Sequence, residues 1–335
     1  MRSLDLFRAF QEYNLGRTKL STLPQITNIE VTNDCNLNCR FCSREAVYKH
    51  RGIGYMSLKK FHVIRYKCSS QFRHPRLFLH GEPTLHPDLA EMVALCGIVG
   101  AKSIGITTNG VLLDEELFIN LVNSGLNVLG FSFEGTSKAD YEHLRRGGNY
   151  DTVKRNIEVA CKLNAELNLG VKITVNIIDN AITHRGLECF KQHYGNLDGC
   201  SGVTVSELGT WAGTKNNDDL EGAESIHYPR IGFCAAPWFT ASIQWNGDVV
   251  PCCAWLSDRL GNIFEDSLEN IWNGEGFQDL RGKLASKGRK GHLFCAGCGN
   301  YGFSPNDVYM ERPNKLFPFN KQGVKLAIEA TRRMR

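Results

Sequence analysis

Three cysteines, Cys35, Cys39 and Cys42, lie in the run VTNDCNLNCRFC with the spacing C-x3-C-x2-C, just beyond a short β-rich segment. Three thiolates are one ligand short of a closed tetrahedral zinc site. They suffice for three irons of a cubane cluster, whose fourth iron then stays open to a small ligand. Soft thiolates suit both zinc and iron–sulfur, so the ligand count decides between them. The competing readings are three core cysteines or a zinc knuckle completed by His50. A second set lies downstream: Cys234, Cys252, Cys253, Cys295 and Cys298, the last two spaced C-x2-C. Four thiolates from a hairpin and a loop can close either a zinc or a cluster site, and spacing alone leaves both open.

The elements that must hold these residues come from a chain of 335 residues, 42% apolar and 22% charged. These are ordinary globular values. The net charge of +4, from 39 basic and 35 acidic residues, is too mild for a nucleic-acid partner. No apolar run reaches the ~18 residues of a membrane span. The first residues alternate apolar and charged, which predicts an amphipathic helix rather than an export signal. Thirteen cysteines in so long a chain then point to thiol chemistry in a reducing cytoplasm rather than to a disulfide scaffold.

Strand candidates at 26–32, 77–80, 103–107, 128–133, 169–176 and 202–208 alternate with helical patterns at 57–68, 88–99, 114–124, 151–167 and 183–194. Several helices open on Ser, Thr or Asp. The alternation predicts an α/β fold with a parallel sheet, six units of an open (β/α)6 barrel, and functional groups at the strand C-termini. The polar stretch at 214–228 reads as part of a linker. Beyond it, FTASIQWNGDVVPCC carries an Asn246–Gly247 hairpin signal, and two short helices follow at 267–273 and 277–285. The expected division is a helical extension (1–25), a partial barrel (26–212), a linker (213–229), a small hairpin-and-helix domain (230–312) and a basic tail (313–335).

The C-x3-C-x2-C loop after a first strand resembles the hallmark of the radical S-adenosylmethionine (SAM) superfamily. The resemblance implies a SAM-binding [4Fe-4S] cluster on Cys35, Cys39 and Cys42, with Phe41 on the adenine side. In His80-Gly81-Glu82-Pro83, His80 replaces the first glycine of the family's Gly-Gly-Glu-Pro. The resemblance assigns Gly81, Glu82 and Pro83 to SAM binding, with Glu82 accepting from the SAM ammonium. Thr107-Thr108-Asn109-Gly110 matches the family's TNG, which adds Thr108 and Asn109. Ser132 and Asn176, expected at the ends of the fourth and fifth strands, complete the implied SAM contacts.

The C-terminal pattern is C-x-x-P-W, G-x-V-x-P-C, GNI, IW, F-x-x-L-R and C-x-x-C. It resembles the SPASM/twitch auxiliary-cluster domain. No cysteine follows Cys298, which fits the one-cluster twitch form, with Cys234, Cys252, Cys295 and Cys298 as the implied ligands of a second [4Fe-4S] cluster. The resemblance extends to 2-deoxy-scyllo-inosamine dehydrogenases and to neomycin C epimerases, the latter quenching a sugar radical with a cysteine. Cys253, beside an implied ligand, is the candidate hydrogen-atom donor. Adjacent strand residues face opposite ways, so Cys252 and Cys253 cannot both serve equally as ligand, and either assignment stands open. Of the remaining cysteines, Cys68, Cys96 and Cys161 read as small core hydrophobes, and Cys189 and Cys200 as similar.

Two outcomes follow: epimerisation with Cys253 returning hydrogen, or dehydrogenation with the auxiliary cluster taking the second electron. Candidate bases for the latter are Arg145, Arg146, Glu134 and Tyr141. Peptide-modifying relatives often carry a leader-binding domain before the barrel, and only 25 residues precede the first expected strand here, which tilts the expectation away from a peptide. It favours a sugar- or aminocyclitol-like metabolite, served by an electron donor such as flavodoxin or ferredoxin. Peptide modification and a non-enzymatic zinc protein are the remaining classes.

Overall fold

The computed structural model describes residues 3–209 and 234–298; the expected linker and the basic tail lie outside them. Helix α1 (Ser3–Asn14) precedes β1 (Gln25–Ile29), β2 (Asn38–Cys39), α2 (Arg44–Arg51), α3 (Leu58–Lys67) and α4 (Leu89–Ile98). Then come β3 (Gly105–Thr108), α5 (Glu115–Asn123), β4 (Val128–Ser132), α6 (Lys138–Leu144), β5 (Arg145–Arg146), α7 (Tyr150–Glu166), β6 (Lys172–Asp179), α8 (Leu187–Gly195) and β7 (Gly202–Glu207). The C-terminal part holds α9 (Ala236–Phe239), β8 (Thr240–Ile243), β9 (Asp248–Val250), β10 (Gly261–Asn262), α10 (Leu268–Trp272), α11 (Glu275–Lys287) and α12 (Leu293–Ala296).

Strands β3, β4, β6 and β7 pair in parallel in that order. The place between β1 and β3 is taken by a stretch too short to be a strand. Parallel bridges join Arg76 to Asn28 on one side and to Gly105 on the other, and the 77–80 candidate forms no strand. Pro75 has no N–H to extend the ladder. Beyond Leu77, whose N–H reaches the Gly105 carbonyl at 2.8 Å, the chain turns to bring the buried His80 against Glu30. The partial barrel thus keeps six parallel positions, one of them vestigial.

Local chemistry sets the helix starts. Ser57, Asp114, Ser137, Asn149 and Ser267 each accept a backbone N–H three residues on, at 2.9–3.3 Å, and so satisfy donors the helix cannot. Along β6, Ile173, Val175 and Ile177 are buried while Thr174, Asn176 and Ile178 are half-buried. That alternation gives the sheet one face toward core and one toward the barrel interior. The strand runs three residues past the expected end at Asn176. Its start shifts as well, because Asn168 (φ 50°) and Gly170 (φ 70°) make a left-handed turn there.

Strand β8 pairs in parallel with β1, matching Ile26 to Ala241 and Ile29 to Ile243. The β8–β9 hairpin turns at Asn246–Gly247, with Gly247 at φ 91°. The C-terminal hairpin therefore continues the barrel's own sheet. Segment 17–22 is stitched to the same region: Trp238 Nε1 donates to the Arg17 carbonyl at 2.8 Å, and Trp272 Nε1 to that of Thr22 at 2.9 Å. Arg281 of α11 is fully buried and donates to the carbonyls of Pro237, Thr18 and Trp272 at 2.7–2.8 Å.

Candidate functional site

The loop from Thr32 to Ser43 carries the first three thiols. Asn33 anchors its start, donating to Gly52 O at 2.6 Å and accepting from Gly54 N at 2.8 Å. Asp34 accepts from Cys35 N and Tyr55 Oη, both at 2.8 Å. Arg44 at the start of α2 donates to the Cys35 carbonyl at 3.1 Å and to that of Leu37. Between these anchors, Cys39 joins Leu37, Phe41 and Leu144 in one buried apolar cluster, and Cys35 and Cys42 pack against it half-buried. Burial pushes Cys35 up to about 11 and Cys39 up to about 12; neighbouring thiol charges add to both. Burial outweighs the opposing charges of Arg44 at Cys35 and Arg145 at Cys39, so ionising these thiols calls for a further positive partner, which a cationic cluster core would supply. His50, the candidate fourth zinc ligand, is exposed on α2. Among the described residues, no three His, Cys, Asp or Glu side chains close around a single metal ion. A cubane spreads its thiolates over separate corners, so the donor set suits a cluster with one open iron.

The segment after the Arg76 bridges lies directly against this loop. Gly81 sits at φ 87°, and a Cβ there would come within 2.5 Å of the Asn33 carbonyl carbon and 2.6 Å of Asp34 O. The close backbone approach at this turn is made by Gly81. Glu82 donates its N–H to Asp34 O at 2.7 Å. Its buried carboxylate accepts from Thr84 N, Thr84 Oγ1 and Thr108 Oγ1 on one oxygen, and from Asn109 N at 2.6 Å on the other. Burial raises its pKa against these donors. Pro83 opens a short 3-10 turn capped by Glu82. Asn109 Nδ2 closes the circuit on Asn36 Oδ1 at 2.7 Å. Glu82, Thr108 and Asn109 therefore form one polar shelf beside the cysteine loop.

Ser132 and Asn176 stand opposite each other in the β4–β6 register. Gly130 makes room for the amide, since a Cβ there would lie 2.7 Å from Asn176 Nδ2. Phe41 is buried with the Arg145 guanidinium 5.4 Å above its ring. Of the candidate bases, Glu134 and Arg145 are locked in a buried ion pair, and Tyr141 is buried in contact with Phe133 and Tyr150. Arg146 is exposed on β5.

The second thiol set also converges. Burial pushes Cys252 well above its usual range, and the charges of Cys253, Cys234 and Cys298 add to it. Burial pushes Cys295 up to about 12, helped by Cys234 and Cys298. Trp255 holds the two halves together, its ring 5.0 Å from His292 and 5.2 Å from Phe294. Cys252 and Cys253 occupy the turn after β9 rather than a strand, so strand alternation does not separate them. Surface exposure does: Cys234, Cys252, Cys295 and Cys298 are half-buried, while Cys253 is exposed, even though desolvation by its surroundings pushes its thiol up as well, with the charges of Cys298 and Cys234 adding. Cys68, Cys96 and Cys161 are buried as expected, but Cys189 is exposed.

Sequence reasoning missed a buried ionic network beside the shelf. Glu30 pairs with Arg51, its Oε1 2.9 Å from Nη2, and with His80 Nδ1 at 3.1 Å. Burial opposes ionisation of Glu30, but these partners hold it at about 2. The backbone N–H of Trp245 also donates to Glu30 Oε2 at 3.3 Å. The only local signal was His80 standing where a glycine was expected.

Comparison with known proteins fits this geometry. The Radical SAM superfamily profile matches residues 29–179, and that of the SPASM iron–sulfur cluster-binding domain matches 234–299. A probable GTP 3',8-cyclase of Methanococcus maripaludis is 31% identical over 144 residues, 40% of this chain and 45% of that protein. An uncharacterised protein of Methanocaldococcus jannaschii is 28% identical over 197 residues, 54% of this chain and 64% of that one. The chain thus spans about half to two thirds of these curated relatives. In fold, it is similar to BtrN in complex with AdoMet and 2-DOIA (TM-score 0.58, 18% identity, 84% of this chain and 95% of that one). It is also similar to Streptococcus suis SuiB bound to the precursor peptide SuiA (TM-score 0.63, 18% identity, 91% and 76%). The choice between zinc and iron–sulfur is decided for iron–sulfur. Residues 29–179 carry a radical SAM domain on the partial barrel and residues 234–299 a SPASM domain, and these two domains imply SAM and two [4Fe-4S] clusters as cofactors.

Proposed function

We propose that the chain removes a hydrogen atom from a carbon of a sugar- or aminocyclitol-like metabolite and epimerises it, with Cys253 returning hydrogen to the opposite face. In this reading Cys35, Cys39 and Cys42 hold the first cluster and Cys234, Cys252, Cys295 and Cys298 the second. When bound, the first cluster and SAM supply the radical that abstracts hydrogen. Phe41, Gly81, Glu82, Pro83, Thr108, Asn109, Ser132 and Asn176 hold SAM along the loop and strand ends. The Cys253 thiol gives a hydrogen atom to the substrate radical; an external electron, from a flavodoxin or ferredoxin, and a proton restore it.

The observation that carries this reading is the contrast among the second thiols: four are half-buried, and Cys253 is exposed beside them. Dehydrogenation would need a base instead. Three of the four candidates, Glu134, Arg145 and Tyr141, are buried, and an arginine such as Arg146 stays protonated. The cyclase similarity covers 40% of this chain, so it supports SAM chemistry rather than that substrate. Peptide modification draws support from the SuiB likeness, which is one of fold.

The test incubates anaerobically reconstituted protein with SAM, reductant and candidate amino sugars or aminocyclitols in deuterium oxide. Epimerisation predicts an inverted product carrying one deuterium at carbon and about eight irons per chain. Cys253→Ala should keep both clusters and cleave SAM without inverted product. Unchanged epimerisation in that variant, or an oxidised product without deuterium, would overturn the role of the thiol.

A further inference from the structure

Strand β2 is only two residues long and exists because it pairs antiparallel with β5, which sets Cys39 opposite Arg145. Arg40 N extends the pairing to Leu144 O at 2.9 Å. The register delivers the Arg145 guanidinium to the back of the cysteine loop. Its Nε donates to Glu134 Oε2, and its Nη1 lies 3.7 Å from Cys39 Sγ. The same group lies 5.4 Å from the centre of the Phe41 ring. Glu134 is itself fixed, accepting from Ile178 N at 3.3 Å. Both members of the pair are buried. Water does not screen them, and a charge or an N–H there acts at low local dielectric.

We propose that Arg145 tunes the reduction potential of the SAM-binding cluster through its hydrogen bond to the Cys39 sulfur, with Glu134 limiting the effect. The inference rests on the reading that Cys35, Cys39 and Cys42 hold that cluster. Hydrogen bonds to cluster sulfurs and local charge are established levers on such potentials. Reduction takes the cluster from the 2+ to the 1+ state with one electron from an external low-potential donor and no proton. The thiolate becomes more electron-rich, so an N–H donor and a nearby cation stabilise the reduced state more than the oxidised one. Glu134 offsets part of that charge and holds the fork in place. Arg145 acts through a ligand and is a positioning residue, not a catalytic one.

The test is potentiometric titration of the anaerobically reconstituted full chain, following by electron paramagnetic resonance the reduced-cluster signal that responds to SAM. The R145M/E134Q double variant removes the N–H···S contact without leaving a buried charge, and its midpoint should move negative with iron content unchanged. E134Q alone leaves the guanidinium uncompensated, and its midpoint should move positive. Opposite shifts support the proposal. Unmoved midpoints, shifts of the same sign, or iron loss in both variants would overturn it and leave the pair a structural brace. Absence of any SAM-responsive signal in the unmodified protein would instead overturn the cluster assignment beneath it.

Discussion

At the scale of single residues, chemistry tied to spacing was the part most legible in sequence. Cys35, Cys39 and Cys42 stand together because eight residues of loop hold them. Glu30, Arg51 and His80 were illegible as a group, since three distant segments must fold before they meet. Their coupling predicts a specific stability pattern. Glu30 is depressed from 4.5 to about 2, so its contribution is complete above about pH 4.5 and is lost as pH falls through about 2. At neutral pH, Arg51→Met should cost about 3–5 kcal/mol, because it strands a buried carboxylate. The Arg51→Met, Glu30→Gln double variant should recover much of that loss. Thermal unfolding of the four proteins measures the cycle; simple additivity would contradict the coupling.

At the scale of elements, capped helices followed from local signals, whereas short strands did not. Helices α3 and α5 begin one residue after the Ser57 and Asp114 caps. Strands β2 and β5, two residues each, are too brief to show a period, yet they set the back of the cysteine loop. The second barrel position failed as a strand because its role is to carry Gly81 and Glu82 onto that loop. Gly81→Ala tests this. The positive φ alone costs about 1–2 kcal/mol, and the new methyl meets backbone rather than a yielding side chain. The variant should lose the iron of the first cluster while keeping that of the second, giving about four irons per chain. Full iron content would show that the loop tolerates displacement.

At the scale of the molecule, one sheet spans the division expected from sequence, since β1 pairs with β8. Thr27 and Ala241, 214 residues apart, are hydrogen-bonded neighbours, and no local pattern announces a contact of that range. One edge of β1 is paired by β8 of the C-terminal hairpin, the other by the Arg76 segment. A chain ending at residue 209 should therefore aggregate through the bared edge of β1. Size-exclusion chromatography against the full chain checks this; a soluble, monomeric fragment would contradict it.

The same parallel pairing has a consequence for biosynthesis. A ribosome releases the first thiol loop long before the strand that seals its neighbour, so the nascent barrel waits half-finished while more than two hundred further residues are translated. During that interval β1 stays open beside the loop that must receive its metal. Cluster delivery to the first centre thus has an opportunity during synthesis, before the hairpin docks, in addition to loading of the finished fold.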